Sequence, residues 1–553
     1  MNKKILQRLV CLWVVMAALS LCTGCKDDDP TTEPEVPVTP DTPETPENPD
    51  KDKTAYTDEK AYANFFAFNM MDDVYLWKSE IASSLKNWQL SEDPITKVKS
   101  VRYKENGSDV DKWTMMTNQF SSLINNMSGS VNTTYGFDFQ PYLRESGSTA
   151  ALAFVLYTYP GSPAEKAGLK RGDLILQVDG EDMNTTNYTK LYQSSSVTLG
   201  LGKVENKQYV LTGETVAMTA IAMYEDPVLI DSIYNCNGKK VGYLMYNSFT
   251  LASCERLVEV AKRFKQAGVS ELILDMRYNG GGYVFTENVL ASLLAPENEV
   301  KSGALYQTEI WNNDYMEYFQ KNNIELNTYF QTQFKGKDAN GTVYNVNTAD
   351  ANIGLQQIYA LVASGTASAS ESILTGLLPM MNISIIGEQT HGKYCTGMLK
   401  AGSEWFEDIE EAYTEAKMSF KEEFPEYAKW KDYINDWGIY VMINRYADRN
   451  GNTPCMPDGF KPDLAVEDCF DEPYPLGDDR EAMLRAALQL AGKTDLTPRA
   501  STRALPANAL RNGRKVEFLH QPLDGKRIYT GTLPLHRQPL SAERPAAVPS
   551  ALR

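Results

Sequence analysis

Ser368 and Lys393 are the residues of this 553-residue chain whose types and spacing could do chemistry together. A serine hydroxyl attacks a carbonyl only when a neighbouring base removes its proton. Three histidines exist, His391, His520 and His536, and the last two lie in a tail unlike the rest of the chain, so a Ser-His-Asp triad would rest on His391 alone. A lysine serves as the base instead when burial keeps its amine neutral near pH 7. Lys393 follows Ser368 by 25 residues and stands as that candidate.

The surrounding pattern supplies elements to position both. Ile358-Tyr359-Ala360-Leu361-Val362 has the length and β-branched content of a buried strand, and Ser364-Gly365-Thr366 breaks it. Ser368 and Glu371 then form a Ser-x-x-Glu capping box ahead of Ile373, Leu374, Leu377 and Leu378, which repeat at helical spacing. The predicted helix N-terminus, with unpaired N–H groups and the positive end of its dipole, favours negative charge developing at the Ser368 hydroxyl. Ile383 to Ile386 reads as the next parallel strand and Gly387 to Gly392 as the loop at its end, where open α/β sheets place their sites. A capping box alone is ordinarily only a cap, and a Gly-Lys loop alone is ordinarily solvated. Their joint occurrence at that spacing in strand–helix–strand order favours a catalytic pair.

Thr366-Ala-Ser-Ala-Ser-Glu371 and Gly387-Glu-Gln-Thr-His-Gly-Lys393 resemble the two motifs of the C-terminal processing, or tail-specific, serine peptidases. The resemblance implies Ser368 as nucleophile, Lys393 as general base, Glu371 as a supporting carboxylate and the Ala369 N–H as one oxyanion donor. After the lysine that family usually continues Gly-x-x-Gln, whereas this chain reads Tyr394-Cys395-Thr396-Gly397, which leaves the auxiliary glutamine unassigned. Upstream, Val241 to Tyr246 reads as a strand and Leu257, Val260, Ala261 and Phe264 as one face of a helix. Leu272 to Arg277 reads as a second strand, ending in Tyr278-Asn279-Gly280-Gly281-Gly282. This unit resembles the family's Leu-Asp-Leu-Arg-x-Asn-x-Gly-Gly segment, which implies the Gly281 N–H as second oxyanion donor, with Gly282 next. A glycine-rich strand end also resembles a phosphate loop, but no Gly-Lys-Ser/Thr follows, which argues against nucleotide binding.

A second unit precedes the first. Gly161-Ser-Pro-Ala-Glu-Lys-Ala-Gly168 and Leu169-Lys-Arg-Gly172-Asp173-Leu-Ile-Leu-Gln-Val-Asp-Gly180 resemble the core of a PDZ domain, with Leu174 to Val178 a strand ending in the Asp179-Gly180 turn. Such domains take a peptide's C-terminal end by strand addition. Tyr135-Gly136-Phe137-Asp138-Phe139 is the counterpart of the carboxylate-binding loop.

The first 25 residues have a basic start, an apolar run from Leu9 to Leu21 and small residues up to Cys25, the pattern of a signal peptide. Leu21-Cys22-Thr23-Gly24-Cys25 resembles a lipoprotein cleavage box, which implies lipidation at Cys25. Lys26-Asp27-Asp28-Asp29 resembles the surface-export signal of Bacteroidetes lipoproteins. Residues 26–55 form an acidic linker in which proline recurs every third residue from Pro34 to Pro49, an extended polyproline II spacer. The remaining expected divisions are a helical N-terminal domain (56–135), the PDZ-like domain (136–225), the Ser/Lys peptidase domain (226–496) and a basic tail of unknown role (497–553). Within the peptidase domain, 296–357 reads as an insertion that either covers the cleft or forms solvated loops with a satellite helix, and Glu404 to Lys431 as an acidic helical insertion with a wet face.

A net charge of −18 with 23% charged residues suits a soluble acidic body and argues against a nucleic-acid partner. Past Cys25 the cysteines are Cys236, Cys254, Cys395, Cys455 and Cys469, an odd set whose spacing fits neither a disulfide scaffold nor a zinc site. A rival reading makes Cys395 a thiol nucleophile with His391, but residues so close in an extended loop point to opposite faces.

The expected fold class is therefore multidomain α/β: a helical N-terminal part, a β-rich PDZ-like domain and a βαβ peptidase domain of ClpP/crotonase-like type. The expected function is a serine endopeptidase acting on protein or peptide substrates, with the PDZ-like domain expected to engage their C-terminal ends and with no metal or organic cofactor. It would be held at the cell envelope by a lipid anchor alone, with the outer membrane as the expected site and the body facing either the surface or the periplasm. The alternative is a non-catalytic peptide- or protein-binding lipoprotein that keeps the peptidase fold.

Overall fold

A computed structural model of the chain describes residues 59–127, 132–144, 147–206, 208–337, 342–415, 431–469, 474–498 and 527–528. The expected signal, Cys25, the linker, the second half of the acidic insertion and most of the tail lie outside the described residues.

Helix α1 (Glu59–Asp73) is apolar nearly all round, burying Tyr62, Phe65, Phe66, Phe68, Met70 and Met71, so it must be covered on several sides. Trp405 packs on Phe65 and Phe66, and the short strand β1 (Met115–Thr117) joins a sheet of the peptidase body. The N-terminal aromatics therefore share one continuous apolar core with the peptidase elements. The N-terminal part is helical as expected, and its core is continuous with the peptidase elements because too little of α1 is polar for it to face water on its own.

Strands β2 (Phe137–Leu143), β3 (Ala151–Thr158), β4 (Leu174–Val178), β5 (Ser196–Glu205) and β6 (Gln208–Thr219) form an antiparallel sheet in the order β6-β5-β4-β3-β2, with its own core. Strand β4 has the predicted bounds, and Asp179 and Gly180 both take positive φ, as a type I′ turn requires. Asn132–Thr134 pairs with Ile221–Met223, so the chain enters and leaves this unit side by side.

The peptidase body begins with β7 (Val228–Cys236) and β8 (Lys239–Tyr246), an antiparallel hairpin. Helix α2 (Cys254–Ala267) buries Cys254, Leu257, Val260, Ala261 and Phe264 and ends at Gly268 in the left-handed region. Strand β9 (Val269–Asp275) follows, then the short β10 (Gly282–Tyr283), the buried helix α3 (Val284–Leu294) and β11 (Leu305–Trp311). Strand β12 (Gln357–Val362), helix α4 (Ala369–Leu377) and strand β13 (Asn382–Gly387) make the βαβ unit expected around Ser368. The remaining elements are β14 (Cys395–Ala401), β15 (Gly438–Asp448), β16 (Leu464–Ala465), α5 (Ala482–Leu490) and the pair β17 (Arg527–Ile528).

Two sheets result. One runs β7-β8-β9-β12-β13-β16, parallel from β8 onward, and its central strands β8, β9 and β12 are the near-continuous apolar runs of a doubly covered sheet. The other runs β10-β17-β14-β15-β11, with β1 also on β15. Strand β11 belongs to the segment expected to be an insertion over the cleft; its backbone pairs with Asn444 to Asp448 of β15, so it is sheet framework.

Candidate active site

Strand β12 delivers the chain to the Ala363–Ala367 loop, which is clamped to the end of β9. The Thr366 hydroxyl accepts from the Ala363 N–H at 2.9 Å and donates to the Met276 carbonyl at 2.8 Å. Asn279 makes the next tie: its carbonyl accepts the Ala367 N–H at 3.2 Å and the Ser370 hydroxyl at 3.0 Å, and its side-chain amide donates to the Tyr246 carbonyl. Between these clamps Ser368 is the N-cap of α4, with φ 63° and ψ −113°. A non-glycine residue held there is strained, and such strain persists where the surroundings over-determine it.

Lys393 sits on the loop between β13 and β14, fully buried like Ser368, and its Nζ lies 3.2 Å from Ser368 Oγ. The same nitrogen donates to the Tyr440 hydroxyl at 3.0 Å and lies 5.3 Å from the Tyr440 ring centre and 5.7 Å from that of Trp113. Glu371 touches the lysine through the backbone. Its carboxyl accepts the N–H groups of Ser368 (3.0 Å), Gly392 (2.7 Å) and Lys393 (2.8 Å) and the Thr390 hydroxyl (2.5 Å). Burial pushes this carboxyl up to about 7, against the pull of those four donors. The capping residue thus fixes the nucleophile's backbone to the lysine's.

Gly281, at φ +113°, faces the nucleophile: a Cβ there would lie 2.9 Å from Ser368 Cβ and 3.1 Å from the Ala369 nitrogen. Only glycine leaves room for a substrate carbonyl beside the Ala369 N–H. The Gly281 N–H itself donates to Asn279 Oδ1 at 2.9 Å, so an oxyanion would have to take it over from that side chain.

The rival thiol pair is not brought together. The Cys395 thiol turns to Met442 Sδ at 3.3 Å, and burial raises it far above the ordinary thiol range. His391 faces Trp113, whose indole N–H donates to His391 Nε2 at 3.3 Å. All five described cysteines are free thiols, and among the described residues no three His, Cys, Asp or Glu side chains gather as a metal site.

Sequence reasoning missed Tyr440, Tyr446, Trp113 and Arg171. Tyr446 donates to the Lys393 carbonyl at 2.6 Å and reaches the Ser368 carbonyl at 3.3 Å. Arg171, from the turn before β4, donates to the Tyr278 hydroxyl and to Asp468, both at 2.6 Å, and Tyr157 stacks on Tyr278. Arg277 links Asp275, Asp468 and Glu481 in the same buried cluster. Burial alone would raise Asp468 and Glu481, but the adjacent arginines hold both below the usual carboxylate range. For Asp275 burial outweighs Arg277, and its carboxyl is raised. Trp113, Tyr440 and Tyr446 carry no motif; a tyrosine in a strand reads as core, and only the fold brings it to the lysine.

A buried serine and lysine in contact at the ends of a parallel sheet, beside a glycine-rich strand end, define a serine-peptidase type of domain. Residues 240–466 match peptidase family S41 and residues 154–199 match the PDZ domain, so the chain carries an S41 peptidase domain preceded by a PDZ domain. It is similar to the carboxyl-terminal-processing protease of Synechocystis sp., 24% identical over 242 residues, covering 42% of this chain and 47% of that protein. It is also similar to the carboxy-terminal processing protease CtpA of Bacillus subtilis, 24% identical over 286 residues, covering 49% of this chain and 53% of that one. The chain thus spans about half the length of the curated relatives it matches. A crystal structure described as an S41 protease of Bacteroides fragilis shares the fold with a TM-score of 0.54 at 22% identity, covering 77% of this chain and 96% of that one.

Proposed function

We propose that this chain is a serine endopeptidase of the C-terminal processing type that cleaves protein substrates through an acyl-enzyme. The observation that carries the reading is the 3.2 Å contact between Lys393 Nζ and Ser368 Oγ, with both residues fully buried. Burial penalises an ammonium ion and so favours the neutral amine that a base requires. Lys393 takes the Ser368 hydroxyl proton as Oγ bonds to the scissile carbonyl carbon. The carbonyl oxygen becomes an oxyanion facing the Ala369 N–H and the Gly281 N–H released from Asn279. Collapse expels the amine, which takes the proton from Lys393. Water then attacks the ester carbonyl as Lys393 takes its proton, and collapse breaks the acyl C–Oγ bond while Lys393 returns that proton to Ser368 Oγ and the acid product leaves. Glu371 keeps Lys393 in register throughout.

Substrate capture falls to the PDZ unit in this reading. Strand β2, which follows Gly136, is the edge of its sheet, where an extended C-terminal peptide can add as a strand. The residue pattern up to Cys25 supports lipid anchoring at the cell envelope as part of the same proposal.

The test is hydrolysis of casein by the full chain and by Ser368→Ala, Lys393→Ala and His391→Ala. Loss in the first two, with folding intact, supports the dyad. Activity that survives Lys393→Ala and disappears in His391→Ala would sink the lysine assignment. The second reading, a binding lipoprotein that keeps the fold, draws support from the Gly281 N–H already engaged by Asn279; an inert parent protein would favour it.

A further inference from the structure

Gly397 is the position at which the Gly-x-x-Gln pattern would place its glutamine, and here it carries no side chain. The space is not empty. A Cβ on Gly397 would lie 2.2 Å from Tyr440 Cζ and 2.5 Å from the Tyr440 hydroxyl oxygen. Gly397 stands on β14 opposite Met442 of β15, and Leu399 stands opposite Tyr440, so the tyrosine lies diagonally across the same face of the sheet. From there its hydroxyl reaches Lys393 Nζ at 3.0 Å.

We infer that Tyr440 is the positioning residue of the Ser/Lys pair, supplied from the neighbouring strand in place of a polar side chain at 397. A neutral lysine amine has two N–H groups and one lone pair. Donating one N–H to the Tyr440 oxygen restricts rotation of the amine and leaves the lone pair for the Ser368 proton. When the proton arrives, the ammonium keeps that acceptor and gains the two ring faces, Tyr440 at 5.3 Å and Trp113 at 5.7 Å, which attract a cation. Glycine at 397 and tyrosine at 440 are therefore one device: any side chain at 397 would displace the ring.

The inference rests on the Ser/Lys reading, and its test separates the two. Tyr440→Phe keeps the ring and removes only the hydroxyl. A hydrogen bond to a charged group stabilises by about 1.5–3 kcal/mol, so kcat on casein should fall roughly 10- to 150-fold with KM little changed. The base limb of the pH–rate profile should move to lower pH, because the ammonium loses an acceptor. A purely structural tyrosine would lower Tm and leave that limb in place. Rescue provides a second arm: Tyr440→Ala with Gly397→Gln should be faster than Tyr440→Ala alone. An active parent, inactive as Lys393→Ala but with unchanged kcat and pH profile as Tyr440→Phe, would overturn Tyr440's role and leave the dyad standing. An inert parent would overturn the peptidase reading and this inference with it.

Discussion

The Trp113 ring centre lies 5.7 Å from Lys393 Nζ, so a residue of the N-terminal segment roofs the lysine. Trp113 is buried and its indole N–H is tied to His391. Trp113→Ala should destabilise the protein by about 3–5 kcal/mol, open the lysine to water and lower kcat on casein more than it raises KM. Chemical denaturation and steady-state kinetics check both parts; full kcat in the folded variant would count against the roof.

Glu371 should make stability depend on pH in an unusual sense. Its folded value, raised from 4.5 to about 7, means that the folded chain holds this proton more tightly than the unfolded chain. Its contribution is fully present below pH 4.5 and is lost as pH rises through about 7, a change on the order of 3 kcal/mol. Denaturation curves of the parent and Glu371→Gln across that window should diverge accordingly. Parallel curves would mean that the four donors, not burial, set its charge.

Gly281→Ala should abolish most hydrolysis without unfolding the protein. The added Cβ would fall 2.9 Å from Ser368 Cβ and strain a residue at φ +113°. Losing one oxyanion donor's geometry costs about 100- to 1,000-fold in kcat. A variant with parental kcat would show that the oxyanion is held elsewhere.

Arg171 couples the PDZ unit to the strand end that carries Gly281, through Tyr278 and Asp468. Arg171→Met leaves a buried carboxylate with one arginine fewer and should cost about 3 kcal/mol. We expect a lower Tm and faster limited proteolysis between residues 219 and 228. Unchanged cleavage there, with the protein folded, would show that the two units do not depend on this contact.

The βαβ unit around Ser368, the glycine strand end and strand β4 of the PDZ unit were legible because each combines a periodic apolar pattern with a turn or cap of fixed chemistry. Glu371 was legible as a cap, and its carboxyl also meets the lysine loop. Tyr440, Tyr446 and Trp113 were not legible, because an aromatic in an apolar run looks the same whether it fills a core or touches a lysine. The helical character of the N-terminal segment was legible, but its partner was not: α1 is apolar nearly all round, and sequence alone does not say which body covers it. The role of Gly397 depends on a neighbour 43 residues away, a relation no local pattern carries.

That N-terminal roof also has a consequence for how the molecule is made. Trp113 meets the His391 loop across 278 residues of chain, whereas Ser368 and Lys393 are only 25 apart. Contacts of such long range cost more loop entropy to close than local ones, so a partly folded chain forms them less readily. A half-folded chain can hold the serine and lysine near each other yet leave the lysine wet and protonated. On the proposed reading, a dry Ser/Lys pair is therefore a property of the finished fold alone.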